Sequence, residues 1–328
     1  MQAGTHPLPE LSARDIFQLT DDMIAEHITP VVRRHKDGGI VVAYAMYDPD
    51  CQNPLEDCDG MGRVHSAHRS AGREVHEAMQ EALGLDSDWS PDENAVTAGM
   101  AKLAKSNSIA AADLAKKDLK TQYHELRRLR LVGDMYVQTL DVYDHSGISY
   151  SISGEGMQCR WDTSRGGAVW VPDTCARDEC DRRAGVYAWG RVIKLKSQWQ
   201  AVLDIGVWPH KQESLGLFAT WHEAFRALQD KVKELELTAE TLERLAIGRA
   251  RATEDVARGA VDEYNAWLSG DCYGVKVVHV EPESDDPHCD EFRFIEELDV
   301  CWGYVGSDYA EDTLLESIQP YATEEITA

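Results

Sequence analysis

The chain has 328 residues, 43% of them hydrophobic, with nine Trp and twelve Tyr, which suits a buried core and excludes a disordered acidic tail. Its 58 acidic and 33 basic side chains give a formal net charge of −25, which excludes nucleic-acid binding through a global positive field, because such binders neutralise phosphates with Lys and Arg. The first ten residues lack a basic segment followed by an apolar run, and no stretch approaches eighteen apolar residues, so the expectation is a cytoplasmic protein with no membrane contact.

In chain order, Leu11 to Val32 carries Ile16, Leu19, Met23, Ile24 and Ile28 at mostly helical spacing opposite Asp21 and Asp22, and predicts one amphipathic helix. Ile40 to Met46 is a short β-branched run expected to be a buried strand. Asp48 to Gly60 holds two prolines and five acids without a base, an exposed negative loop. Ala71 to Leu83 reads as a helix closed by Gly84, followed by a second acidic loop from Asp86 to Asn94. Thr97 to Val132 is helical, broken near Ser106-Asn107-Ser108, and repeats Leu119, Tyr123, Leu126 and Leu129 on one side. It also carries a basic patch of Lys116, Lys117, Lys120, Arg127, Arg128 and Arg130.

Met135 to Ser153 changes to a period of two and predicts a hairpin turning at Asp144-His145-Ser146-Gly147. Six of the nine tryptophans fall between Trp161 and Trp221, so the short runs there are the expected sheet core, with Arg182, Arg183, Arg191, Lys194 and Lys196 as a second basic stripe on it. Two helices follow, one through Phe225, Leu228, Val232 and Leu235, and one from Thr238 to Leu268. Tyr273 to Val280 reads as an alternating strand, Glu281 to Asp290 as a loop and Glu291 to Tyr304 as one or two return strands. The fold class expected is α+β, a mostly antiparallel β-sheet with long amphipathic helices. Composition divides the chain into a helical region with an acidic loop (1–132), a Trp-rich β region (133–215) and a helical hairpin with an acidic β-meander (216–328), which can equally form one continuous fold.

Acid is concentrated toward the end of the chain: Glu281 to Ala328 has fifteen carboxylates against Arg293 alone. Glu281, Glu283, Asp285, Asp286, Asp290, Glu291, Glu296 and Glu297 are therefore the expected partner-binding residues, suited to the Lys and Arg of a basic protein surface. Asp144, His145, Asp162 and Cys159 are the candidates for hydrolase-type catalysis, although Asp144-His145-Ser146 as sequence neighbours cannot face one another as a triad, and Asp-x-Ser-Gly is also turn chemistry. His65 and His68 are the candidate metal ligands, at a generic spacing whose ordinary reading is loop histidine. No phosphate loop, nucleophile elbow or dinucleotide fingerprint occurs, and no cofactor is expected. The eight scattered cysteines read as reduced thiols.

Three separated pieces together resemble a family of phage and plasmid proteins of unknown function. They are Asn53-Pro54-Leu55-Glu56-Asp57-Cys58-Asp59-Gly60-Met61-Gly62; Tyr143-Asp144-His145-Ser146-Gly147 followed by Cys159-Arg160-Trp161-Asp162; and Leu268-Ser269-Gly270-Asp271-Cys272-Tyr273-Gly274 followed by Cys301-Trp302-Gly303-Tyr304. The sequence departs from the family at Asp162-Thr163-Ser164-Arg165, where members often continue Trp-Asp-Ser-Gly. The resemblance implies a mobile-element setting and carries over no catalytic residues. Joined to the acidity, it leads to the expectation of an accessory protein that binds and inhibits a host defence or DNA-binding protein, with DNA mimicry as one route. A hydrolase-type enzyme and a structural protein forming homo-oligomers are the alternatives.

Overall fold

The computed structural model describes residues 8, 11–67, 71–205, 212–283 and 292–323. In chain order its elements begin with α1 (Ala13–Thr20), β1 (Val31–Arg34), β2 (Ile40–Tyr47), α2 (Pro54–Asp57), β3 (Arg63–Ser66), α3 (Arg73–Leu83) and α4 (Glu93–Ser106). Next come α5 (Ser108–Leu114), α6 (Leu119–Arg128), β4 (Gln138–Asp144), β5 (Ile148–Ile152), β6 (Thr163–Val171), α7 (Thr174–Tyr187) and β7 (Gly190–Leu195). The remainder are β8 (Gln198–Asp204), β9 (Gln212–Phe218), α8 (Trp221–Glu234), α9 (Leu242–Leu268), β10 (Cys272–Pro282), β11 (Phe292–Val305) and α10 (Ser307–Ile318). The fold is α+β with antiparallel sheets. Contacts group the chain into two units, Met1–Pro54 with Glu263–Ala328, and Leu55–Asp262. The second is inserted in the sequence of the first, and the segments expected from composition (1–132, 133–215 and 216–328) cut across both.

Unit 1 is built on a four-stranded sheet of order β1-β2-β10-β11. β2 and β10 pair from Tyr47 with Tyr273 to Ile40 with Val280. Alternate residues reach opposite faces. Val41, Ala43, Ala45, Val275 and Val277 pack on Ala310, Leu314 and Ile318 of α10, whereas Ile40, Val42, Tyr44, Val278 and Val280 surround Ile16 of α1. Covering on both faces is why residues 40–46 read as a continuous apolar run.

The single helix expected over Leu11–Val32 is corrected. Ser12 and Asp15 form a capping box that starts α1, and Asp21 at φ 60° ends it with its N–H donating to the Phe17 carbonyl. Ile24 and Ile28 are still buried, but from irregular backbone leading through Pro30 to β1. α10 lies in a stretch for which no element was expected, and it completes the core of this unit.

The α1 face of the sheet also contains a charge. Lys276 of β10 lies 2.9 Å from Asp22 and 3.0 Å from Glu297, and the Tyr44 hydroxyl donates to Asp22 at 2.6 Å. Burial pushes the Asp22 pKa up, but the Tyr44 and Lys276 hydrogen bonds outweigh it and hold the carboxyl below its ordinary value. Burial alone would depress the Lys276 ammonium, yet Asp22 and Glu297 raise it.

Unit 2 holds two sheets, β3-β6-β4-β5 and β7-β8-β9. The hairpin expected near 135–153 is present as β4 and β5, paired from Leu140 with Ile152 to Asp144 with Ile148. One helical core gathers Val96, Leu103, Leu114, Tyr123 and Leu126 with Ala246 of α9. A second places Ala201 and Leu203 of β8 on Tyr187, Phe225 and Leu228 with Ala252 of α9. Small residues on α9 allow this approach, since a Cβ on Gly248 would meet the Ala184 carbonyl oxygen at 2.1 Å. Arg182 and Arg183, expected on a sheet, lie on α7, where Ala176, Cys180 and Tyr187 make a buried stripe of small and aromatic residues with little helical hydrophobic signal.

A depressed carboxylate pKa contributes stability above the unfolded value that is lost as pH falls through the folded value. Asp22→Asn should therefore lower the unfolding free energy by about 2–3 kcal/mol at neutral pH. In urea titrations, that difference from the parent chain should shrink as the pH is lowered below about 4.

Candidate functional site

The two halves of the second motif meet in unit 2. The Cys159 thiol donates to Asp162 Oδ2 at 3.2 Å, and His145 Nδ1 lies 3.4 Å from the same oxygen. The Asp144 N–H donates to the Asp162 carbonyl at 2.9 Å, which joins the end of β4 to the start of β6. The four candidate catalytic residues are thus neighbours, but their order differs from a hydrolytic triad. Asp162 is between thiol and imidazole, whereas a nucleophile needs the imidazole next to it and the carboxylate beyond. The arrangement ties a loop, and beside it Trp161 is 85% exposed with the Arg160 guanidinium 5.3 Å from its ring centroid.

Glycines of the first motif have a structural reason. The Gly60 and Gly62 N–H groups donate to Asp173 Oδ2 at 2.8 and 3.0 Å, while Asp173 Oδ1 caps α7 at the Ala176 N–H. Burial raises the Asp173 pKa, and these backbone donors overcome it and hold the carboxyl low. Gly62 has φ +67°, and a Cβ there would lie 2.7 Å from the Val171 carbonyl oxygen. The third motif sets the sheet of unit 1, because Trp302 packs on Gly274, where a Cβ would meet its ring at 2.2 Å.

Two of the four described residues of the expected partner-binding set are paired with cations within unit 1. Glu281 pairs with Arg293 at 2.8 Å, Glu297 with Lys276 at 3.0 Å, and Glu296 lies 3.9 Å from His279. Asp285, Asp286, Asp290 and Glu291 lie outside the described residues, and Glu283 ends the described part of this hairpin. β11 spends fourteen residues against eleven of β10, with three register shifts, so this edge strand is bulged as well as acidic. Both features oppose edge-to-edge pairing.

A row of exposed carboxylates lies on α10, which sequence reading missed. Asp308, Glu311, Asp312 and Glu316 are exposed, and no ion pair to any of them is found among the described residues. At 100° per residue they fall within an arc of about 140°. Opposite them Ala310, Thr313 and Leu314 are buried. Tyr309 at 60% exposure borders this arc, and Leu315 at 49% lies within it among the acids. The available signal was the helical alternation of acids with Ala310, Leu314 and Ile318. At about 1.5 Å rise the four carboxylates span roughly 12 Å, about one charge per 4 Å. A DNA strand carries one phosphate per roughly 3.4 Å of helix axis. One face of β11 offers a side chain only every ~6.6 Å.

Charge separates between the units. Unit 1 holds 25 acids and 6 bases, a net of −19, whereas unit 2 holds 33 acids and 27 bases, a net of −6. Much of the basic patch and stripe is already engaged inside unit 2. Arg128 pairs with Glu125, Lys116 with Asp113, Arg182 and Arg183 with Glu179, and Arg183 also with Asp255. Arg127 and Arg130 donate to backbone carbonyls at 132–137.

His65 lies on β3 beside a cavity of about 580 Å³ also lined by Glu81, Asp134, Tyr136 and Arg177. Burial lowers its pKa, with Arg63 adding to the effect, so the imidazole is neutral at neutral pH. His68 lies outside the described residues, and among those described no group of three or more His, Cys, Asp or Glu is arranged to hold a metal ion. No helix among them is long and apolar enough to cross a membrane. No family model matches the chain, and no curated protein or solved structure is significantly similar to it.

Asp162→Ala should cost about 1–2 kcal/mol in urea unfolding, because the Cys159 and His145 side chains lose their shared acceptor. Trp161→Ala should stay within about 0.5 kcal/mol of the parent chain, as expected of an exposed side chain.

Proposed function

We propose that this chain acts by binding, with the acidic face of unit 1 occupying the cationic, nucleic-acid-binding surface of another protein. The observation that carries the reading is the row of exposed carboxylates on α10, without an ion pair among the described residues, on a unit of net charge −19. Its charge spacing approaches that of a DNA strand, which supports DNA mimicry as the route. Tyr309 and Leu315 add apolar area of the kind that anchors protein interfaces, so the face suits a basic groove with an apolar wall better than bulk solvent alone. The resemblance to mobile-element proteins supports a host defence or DNA-binding protein as the partner class, met in the cytoplasm of the host cell. The linear order of Cys159, Asp162 and His145 favours this reading over hydrolysis.

The test is recovery of the partner on the immobilised full chain, followed by titration with salt and with duplex DNA. Both should release it, since the contact is electrostatic and shares the DNA site. Asp308→Asn, Glu311→Gln, Asp312→Asn and Glu316→Gln combined should weaken the measured affinity roughly tenfold or more. Glu296→Gln with Glu297→Gln should change it far less. Binding indifferent to salt and to DNA would remove the proposal.

A further inference from the structure

Asp271 and Tyr273 of the third motif take part in a hydrogen-bonded chain that reaches the surface of unit 1. Tyr47 ends β2 and pairs in register with Tyr273 of β10, which puts both rings on one face with centroids 5.7 Å apart. His27 meets them from the turn after α1, where the Ala25 N–H donates to the Ala45 carbonyl at 2.9 Å and buried Ala25 and Ile28 pack on β2. The Tyr273 hydroxyl donates its only proton to Asp271 Oδ1, so its oxygen accepts from His27 Nε2, 2.8 Å away. That sets the tautomer of the neutral imidazole, with the hydrogen on Nε2 and the lone pair on Nδ1. Nδ1 in turn faces the Tyr47 hydroxyl at 3.3 Å. The three bonds run one way, from Tyr47 to His27, Tyr273 and the Asp271 carboxylate. Asp271 is clamped by its backbone, whose N–H donates to the Ala266 carbonyl at 2.9 Å and whose carbonyl accepts the Gly306 N–H at 2.8 Å. Tyr273 is 1% exposed, whereas Tyr47 is 46% exposed and His27 is also exposed, so the chain opens to solvent at its Tyr47 end.

We infer that Tyr47 is a nucleophile that accepts an acyl group from an uncharged activated ester, with His27 as its general base. The order is that of a hydrolytic triad: nucleophile, imidazole, then the group that orients the imidazole, here Tyr273 backed by Asp271. It is the order that Cys159, Asp162 and His145 lack. Tyr47 Oη attacks the ester carbonyl carbon while His27 Nδ1 takes the phenolic proton. The tetrahedral adduct then collapses, the bond from the carbonyl carbon to the leaving oxygen breaks, and His27 returns the proton to that oxygen. The products are a tyrosyl ester and a free alcohol, and no electron donor or acceptor is consumed. The imidazolium formed between the two transfers keeps its Nε2–H bond to Tyr273, whose own proton is held by Asp271. A net charge of −19 on unit 1 repels anionic acyl donors such as acyl phosphates, which is why the donor is an uncharged ester.

The experiment uses the folded full chain and p-nitrophenyl acetate as the probe. Tyr309 is the internal reference, because it is 60% exposed and its ring meets Tyr304, with no histidine in ring contact among the described residues. Peptide mapping at short times should find the first acetyl group among the tyrosines on Tyr47, formed roughly a hundredfold faster than on Tyr309, which is the scale of general-base assistance. Exposure alone would give the opposite order. Tyr47→Phe should remove that label, and His27→Gln should slow it to the Tyr309 rate. Both side chains are exposed, so the urea midpoints of the two variants should stay close to that of the parent chain. The ratio of Tyr47 to Tyr309 labelling in the parent chain decides the matter even if a variant fails to fold. Acetylation of Tyr309 first, an acetyl group retained on His27 in place of Tyr47, or labelling of Tyr47 that is indifferent to His27→Gln overturns the inference.

Discussion

Pairing of β2 with β10 is the constraint on which the rest depends. Residues 40–47 must find residues 273–280 across an insertion of 208 residues, and only then does the sheet have two faces to cover. Loop closure over such a separation costs entropy, although the cost grows only slowly with length. The apolar runs on both strands offset it, because α1 and α10 bury them on opposite sides. The same pairing brings Lys276 to Asp22 and β11 to the edge where its acids are exposed.

A unit of net charge −19 works against its own compaction. Unit 1 answers in two ways. Two of its six bases are placed against carboxylates of the hairpin, Arg293 with Glu281 and Lys276 with Glu297. Acids without a cationic partner among the described residues stay exposed, on the outer arc of α10 and also at Glu26, Asp50 and Asp299, where water and salt screen them. Unit 2, nearer to neutrality, consumes its cations in local ion pairs and carbonyl contacts and uses glycine and alanine on α9 to bring helices together. The excess of acid in this protein therefore lies mainly in one unit, where the outer arc of α10 presents it as a row.

Much of the secondary structure was legible. The hairpin at 138–152 showed its period of two, the buried strand at 40–47 its unbroken apolar run, and the helix ending at Leu268 its apolar repeat and following glycine. α7 was not legible, because its buried side is made of Ala176, Cys180, Val186 and Tyr187, and Arg177, Asp178, Glu179, Asp181, Arg182 and Arg183 fill most of the turns between them. The long first helix was over-read because Ile24 and Ile28 are apolar at helical spacing yet are buried from turns, a pattern that periodicity cannot distinguish from a helix. The candidate site was legible in part: the motif residues Asp144, His145, Cys159 and Asp162 do converge, whereas the pairing of Glu281 with Arg293 and of Glu297 with Lys276 left no signal in the chain.

By itself the amino-acid sequence determined the α+β class, the excess of acid and the residue types that gather around Asp162, since these follow from composition, short-range periodicity and turn chemistry. Tertiary structure decided which acids are paired and where the chain divides into units. The division depends on the pairing of β2 with β10, residues more than two hundred positions apart, for which no local pattern in the chain carries information.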